Sequence, residues 1–320
     1  MPLTQANIHL IETVVAFALI VLLNIFLKKK GILNGSDTPV FTRLLIQVVL
    51  PVFIFFQLLR YPPGLRYMLP VLAMFITGCG TLLAAWIIGE LMGFSRPTTG
   101  ALMIISSFGS SALLGYPLIQ YTFPHDPGAM TEAILISELA VGLPIFTLCP
   151  LVAMHFGEAS QTAGSLRDTL LQYFRSPIFI AVILGFAVSR FHVPLDSPFV
   201  APILEAAKMI DGTLAALACL ILGMQIKVGS LKRLVPIVAI SAVLGMGLQP
   251  LLAYWQAVAY HLSGLERQVL VLIAAMPSAV LGPVFAVRYK CDGELASTAT
   301  FINILLGAVG IPAVFWLLGR

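Results

Sequence analysis

Two stretches concentrate the residues that could hold a solute. One reads Ser106-Ser107-Phe108-Gly109-Ser110-Ser111-Ala112-Leu113-Leu114-Gly115-Tyr116-Pro117, the other Ala275-Met276-Pro277-Ser278-Ala279-Val280-Leu281-Gly282-Pro283. Each sets Gly, Ser and Pro in the middle of an otherwise apolar segment. Proline removes a backbone N–H and clashes with the preceding turn, so a helix is expected to break there. In hydrocarbon, broken backbone is tolerated only where protein or a water-filled cavity satisfies it. The freed N–H groups and half-helix N-termini attract anions. Ser110, Ser111, Gly115 and Pro117 of the first stretch, with Pro277, Ser278, Gly282 and Pro283 of the second, are therefore the candidate substrate-binding residues. The competing reading is that such residues merely let membrane helices pack closely; the matched placement of the two stretches favours a functional break.

Ionisable side chains inside apolar segments are costly and usually have a reason. Glu138 is the candidate carrier of a coupling proton or cation, set against a structural carboxylate bonded to neighbouring helices. Asn303 is a weaker polar candidate. Glu205, Lys208 and Asp211 follow one another at i, i+3 spacing, share a helix face and can pair. A salt-bridged stripe is the plainer reading; an anion-attracting vestibule through Lys208 is the alternative. Glu12, Glu90, Arg43 and Arg60 fall near segment ends, where snorkelling explains them. Gln47, Gln57, Gln225 and Gln249 can bond between helices, and nothing distinguishes them.

The elements that must position these residues are membrane helices. Hydrophobic residues make up 59% of the 320 and charged residues 10%, where soluble domains carry about a quarter charged. Mean hydropathy is +0.99. A soluble chain of this length could not hide such a composition in one core. Apolar segments fall near 8–27, 39–59, 67–92, 98–121, 130–154, 176–191, 198–226, 232–257, 267–288 and 296–318. They predict an all-α integral membrane protein of ten transmembrane helices. No basic residue precedes the first apolar run, and Lys28, Lys29 and Lys30 follow it, so it is expected to stay as a span.

A polar linker, 155–175, divides the chain into 1–154 and 176–320, each with five segments. Three local matches relate the halves. Ser111-Ala112-Leu113-Leu114-Gly115 resembles Ser278-Ala279-Val280-Leu281-Gly282, Ala140-Val141-Gly142-Leu143-Pro144 resembles Ala308-Val309-Gly310-Ile311-Pro312, and Leu69-Pro70-Val71 resembles Val235-Pro236-Ile237, at offsets of 167, 168 and 166. An odd number of spans per half makes the repeats inverted, the build of many secondary transporters with a solute site at the midplane. Twelve of the eighteen Lys and Arg residues fall on one side if both termini are outside, which the positive-inside rule favours in a cell membrane.

Several functions are disfavoured. Cys79, Cys149, Cys219 and Cys291 are scattered without metal-ligand spacing, the five histidines are dispersed, and no metal site or cofactor is expected. P-loop and HExxH motifs are absent, and Ser110 and Ser111 lack an evident His or Asp partner, so an enzyme is not expected. The net charge of +4 is spread over short loops and suits membrane topology better than nucleic-acid binding.

The chain resembles the auxin efflux carrier family, which includes plant auxin carriers and bacterial permeases of the malate and malonate type. The resemblance covers essentially the whole chain. It is carried by Val49-Leu50-Pro51-Val52-Phe53-Ile54-Phe55, Leu114-Gly115-Tyr116-Pro117-Leu118-Ile119, the stretch at Leu222-Gly223, Ala274-Ala275-Met276-Pro277-Ser278-Ala279-Val280 through Phe285-Ala286-Val287-Arg288-Tyr289, and Asp292-Gly293-Glu294-Leu295-Ala296-Ser297. It implies two inverted five-helix repeats, a scaffold of helices one, two, six and seven that often forms a homodimer, and a transport domain of the rest. Helices four and nine would be interrupted and cross near Gly115–Pro117 and Gly282–Pro283. It also implies a small organic anion, carboxylate-bearing, carried by elevator-like alternating access; the expected driving force is an ion gradient, of H+ or Na+, or the membrane potential. The sequence departs from the family at Ser110 and near Leu281, where members often have asparagine; serine offers one donor and leucine none, where an amide offers two. Two other readings compete: a sodium-coupled symporter of bile-acid type, which shares the inverted plan, and a membrane receptor or scaffold that binds a ligand without moving it.

Overall fold

In the computed structural model the described residues are 5–62, 64–158, 166–191, 197–198, 200–224 and 235–318. Part of the expected linker (159–165), Gln225, Lys227, Lys232, Arg233 and Arg320 lie outside them. The described chain is mostly helical. In order come α1 (Gln5–Lys29), α2 (Thr38–Arg60), α3 (Leu65–Leu91), α4 (Arg96–Ser107), α5 (Tyr116–Thr122), α6 (Pro127–Phe156), α7 (Leu166–Phe174), α8 (Pro177–Phe191), α9 (Ala201–Asp211) and α10 (Leu214–Met224). The rest are α11 (Val235–Ala259), α12 (Gly264–Ala274), α13 (Gly282–Arg288) and α14 (Gly293–Leu318).

Among the described residues six helices, α1, α2, α3, α6, α11 and α14, are long and apolar enough to cross a bilayer. The other expected segments are short or interrupted. Segment 198–226 is two helices, α9 and α10, parted at Gly212 and Thr213, rather than one continuous span. Glycine and a β-branched residue are both poor helix formers, which accounts for a join at this point.

Among the described residues four stretches widen from α to π geometry: Leu45–Val49 in α2, Ser111–Gly115 before α5, Ile136–Gly142 in α6 and Leu244–Leu248 in α11. A proline stands two positions beyond the end of each, at Pro51, Pro117, Pro144 and Pro250. The proline ring clashes with the carbonyl four residues before it and offers it no N–H. That carbonyl, of Gln47, Leu113, Ala140 and Met246 respectively, lies inside the widened stretch each time, so the turn opens to make room for the ring. Pro150 and Pro312 sit inside α-helix without such widening, so the clash permits a π turn without compelling it.

Two helix groups pack around the site. α2, α8, α9 and α10 associate mainly with one another, α1 joins them through α10, and α3, α4, α6, α11, α12 and α14 form the second group. α1 also touches α5 and α14. Leu19, Leu22, Leu23 and Phe26 on α1 point outward and are exposed. So do Leu72, Leu83 and Trp86 on α3 and Val309 and Leu317 on α14, an apolar exterior suited to lipid.

Candidate functional site

The helices α4 and α12 carry the chain to the centre of the second group. Both begin on a serine cap. Ser95 accepts from the Thr98 N–H, and Ser263 forms a capping box with Glu266. These caps satisfy orphan N–H groups and direct the helix inward. Every residue from Thr99 to Ser107, and from Val269 to Ala279, is buried. A helix apolar on all sides is one surrounded by protein or lipid on all sides. With 12 residues, α4 rises about 18 Å, a little over half of a hydrocarbon layer about 30 Å thick.

There both helices stop. Phe108 turns to extended geometry after α4, and the chain is non-helical from Met276 to Ser278 after α12. The two breaks meet as an antiparallel bridge between Gly109 and Ser278. Ser110 N–H donates to Pro277 O at 2.7 Å, and Ala279 N–H donates to Phe108 O at 2.9 Å. Gly109 is required by this approach, because a Cβ on it would lie 2.7 Å from Met276 O. The crossing therefore lies at Gly109 and Ser278, upstream of the Gly115–Pro117 and Gly282–Pro283 pairs that the resemblance singled out. Pro117 instead follows the π stretch that makes room for it, and Pro283 occupies the first turn of α13, where a missing N–H costs nothing.

Each break has its own polar surroundings. On the first side, the Ser111 and Ser137 hydroxyls lie 2.7 Å apart, and Tyr116 OH donates to Glu138 Oε1 at 2.6 Å. Glu138 sits in the π stretch of α6, where the Tyr173 hydroxyl of α7 donates to its backbone carbonyl at 2.6 Å. On the second side, Asn303 Nδ2 donates to Ser278 Oγ at 2.9 Å and to Ser241 Oγ at 2.8 Å. Ser278 in turn donates to Ile105 O, and Ser241 donates to Val238 O. Gln249 Nε2 donates to Ser106 O at 3.1 Å and also to Ser107 O. The last carbonyls of α4 are thus satisfied by side chains from the second half of the chain.

Among the expected site residues, the structure brings Ser110, Ser111, Pro277, Ser278, Glu138 and Asn303 into or beside the crossing. Gly115 and Gly282 line its edges: a Cβ on Gly115 would meet Ile273 Cδ1 at 3.1 Å, and one on Gly282 would meet Ile104 Cγ2 at 3.0 Å. Lys208 and Asp211 lie elsewhere, on α9. Lys208 pairs with Glu205 at 3.0 Å. Asp211 takes a different partner, Gln120 of α5, at 3.3 Å. With Arg60 and Gln57 the pair lines a small cleft between α2 and α9. A larger apolar groove of about 270 Å³ runs between α1 and α14, lined also by Leu114 and Leu118.

Sequence reasoning passed over Ser137, Ser241 and Tyr173, quoted Tyr116 without giving it a role, and noted Gln249 only as one of several glutamines able to bond between helices. Ser137 adjoins Glu138, and Gln249 adjoins a mid-segment proline, which are the local signals that could have raised them. Nothing local marks Tyr173, whose partner is 35 positions away.

Comparison with known proteins finds membrane transporters. Residues 158–316 match the family described as membrane transport protein. Over 94% of its length the chain is 28% identical to an uncharacterized transporter of Methanothermobacter thermautotrophicus, 96% of which is covered. It is 23% identical to an uncharacterized transporter of Methanocaldococcus jannaschii, over 96% of this chain and 98% of that one.

Proposed function

This chain belongs to the membrane transport protein family, and on that premise we propose that it is a secondary transporter of a small organic anion, with the solute bound where the two broken helices cross. The observation that carries the reading is the buried antiparallel bridge at Gly109 and Ser278, flanked by hydroxyl and amide groups. Irregular backbone deep in a membrane is stable only where protein or a lined cavity completes its hydrogen bonds, and paired broken helices of this kind hold solutes in transporters.

The hydrogen bonds divide the labour. Ser278 spends its proton on Ile105 O, and Asn303 spends its amide protons on Ser278 and Ser241. Ser111 and Ser137 need one of two O–H groups for their mutual bond. The first side, Ser110 and Ser111 ahead of α5, is therefore the better anion-facing side. In this reading ten segments form two inverted repeats about the linker. The group of α1, α2, α8, α9 and α10 is the scaffold and the other group the moving part of an elevator-like cycle. Both termini lie outside.

A second reading, coupling to a monovalent cation, has one observation in its favour. Asn303 Oδ1, Thr300 Oγ1 and Ser106 Oγ are buried acceptors without a donor among the described residues. Flipping the Asn303 amide would not help its oxygen, since Ser241 and Ser278 already donate elsewhere.

The test is a thermal-shift screen of small carboxylates on purified protein, with and without sodium and at two pH values, followed by uptake of the stabilising ligand into proteoliposomes. A ligand that binds the native state raises its melting temperature. Replacement of Gly115 or Gly282 by leucine is expected to abolish uptake while the protein still reaches the membrane. Normal uptake by both variants overturns the site, binding without flux favours a receptor, and sodium-dependent binding favours the second reading.

A further inference from the structure

Glu132 belongs to neither side of the crossing. It lies on α6, six positions before Glu138 and toward the opposite end of the helix from α7. Its side chain is fully buried, and neither carboxyl oxygen has a hydrogen-bond partner among the described residues. The contrast with Glu138, held by Tyr116 at 2.6 Å, is direct. The groups around Glu132 offer no substitute. Arg66 at the start of α3 and Glu266 on α12 both act on it at a distance, with opposite signs. Arg66 instead donates to Tyr67 OH at 2.7 Å, and Arg267 of α12 lies over the Tyr254 ring. From α2, Gln57 and the Tyr61 carbonyl engage Pro127 O and Thr131 Oγ1, with Arg60 nearby in sequence. Tyr116 of α5 is taken by Glu138.

An ionised carboxylate buried without a donor costs several kcal/mol or more, whereas the neutral acid costs far less. A metal ion would need further ligands, and no cluster of three Asp, Glu, His or Cys occurs among the described residues. We propose that Glu132 is a proton-binding site: its carboxylate takes up one proton from solvent at the Arg66 end of the molecule to become a buried carboxylic acid, and releases it again when that end opens. Of the two charged groups that act on the carboxyl, Arg66 is exposed and Glu266 half-buried. Glu132 shares α6 with the residue gripped by the broken helix, so movement of α6 would act on both carboxyls at once. The site does not depend on the identity of the solute.

Infrared spectroscopy of the purified protein tests it without a substrate. The wild-type protein is expected to show the carbonyl band of a protonated carboxylic acid that shifts in D2O and titrates with pH. Glu132→Gln should remove that band, and Glu138→Gln should leave it. Should Glu132→Gln fail to fold, Glu132→Asp keeps the carboxyl and must shift the band. A band that survives Glu132→Gln, ignores Glu132→Asp, or resists both D2O and pH overturns the proposal.

Discussion

The two breaks at the crossing look alike in sequence and are stabilised differently. The end of α4 borrows its partners. Gln249 takes two of its carbonyls and Ser278 a third, all from the second half of the chain. The end of α12 closes on itself, with Ala275 N–H donating to Val271 O and Met276 N–H to Ile273 O. The side chains beyond the breaks differ as well. The first side holds an acid, two tyrosines and a hydroxyl pair, while the second holds a neutral amide between two serines. A near-symmetric backbone thus carries an ionisable face opposite a neutral clamp.

The sharpest way to break this picture is at Gly109. Leucine there would drive its Cβ into the backbone of Met276, which cannot give way as a flexible side chain would. Overpacking of this kind costs about 3 kcal/mol, and a large fall in melting temperature is the expected result; an unchanged melting curve would mean the breaks do not touch. Gln249→Leu comes next. It strips the donor from two buried carbonyls, at about 1–3 kcal/mol for groups left unsatisfied. The same loss has no counterpart at the end of α12, so a stability drop confined to Gln249 marks the asymmetry. Smallest is Ser111→Ala, which removes one neutral hydrogen bond worth about 1 kcal/mol. If the first side faces the solute, this variant should lose carboxylate binding more than stability, and the reverse order would move the site to Ser278 and Asn303.

Much of this was legible before any coordinates. Apolar length and the scarcity of charge announce membrane helices, because hydrocarbon admits only backbone that bonds within itself. Gly, Ser and Pro in the middle of two segments announced interruptions, and these occur. Where the interruption falls was not legible. Proline marked Gly115–Pro117, yet the helix leaves its path at Phe108, because a π turn absorbs the proline and a backbone-to-backbone approach claims Gly109. The stripe of Glu205, Lys208 and Asp211 was legible only as far as its first pair. Local spacing sets Lys208 on Glu205, but Asp211 answers to Gln120 on another helix.

By itself, then, the sequence determined the solvent, the helical class and the two places where helices had to yield, since those follow from composition and from the geometry of proline and glycine along one strand of chain. Only the tertiary structure decided which polar groups face one another. Gln249 meets the end of α4 across 142 and 143 positions, Asn303 meets Ser241 across 62, and Glu132 meets no donor among the described residues. Hydrogen bonds are made at about 3 Å, and which residues come within that distance is settled by how the helices pack, a choice that no local pattern encodes.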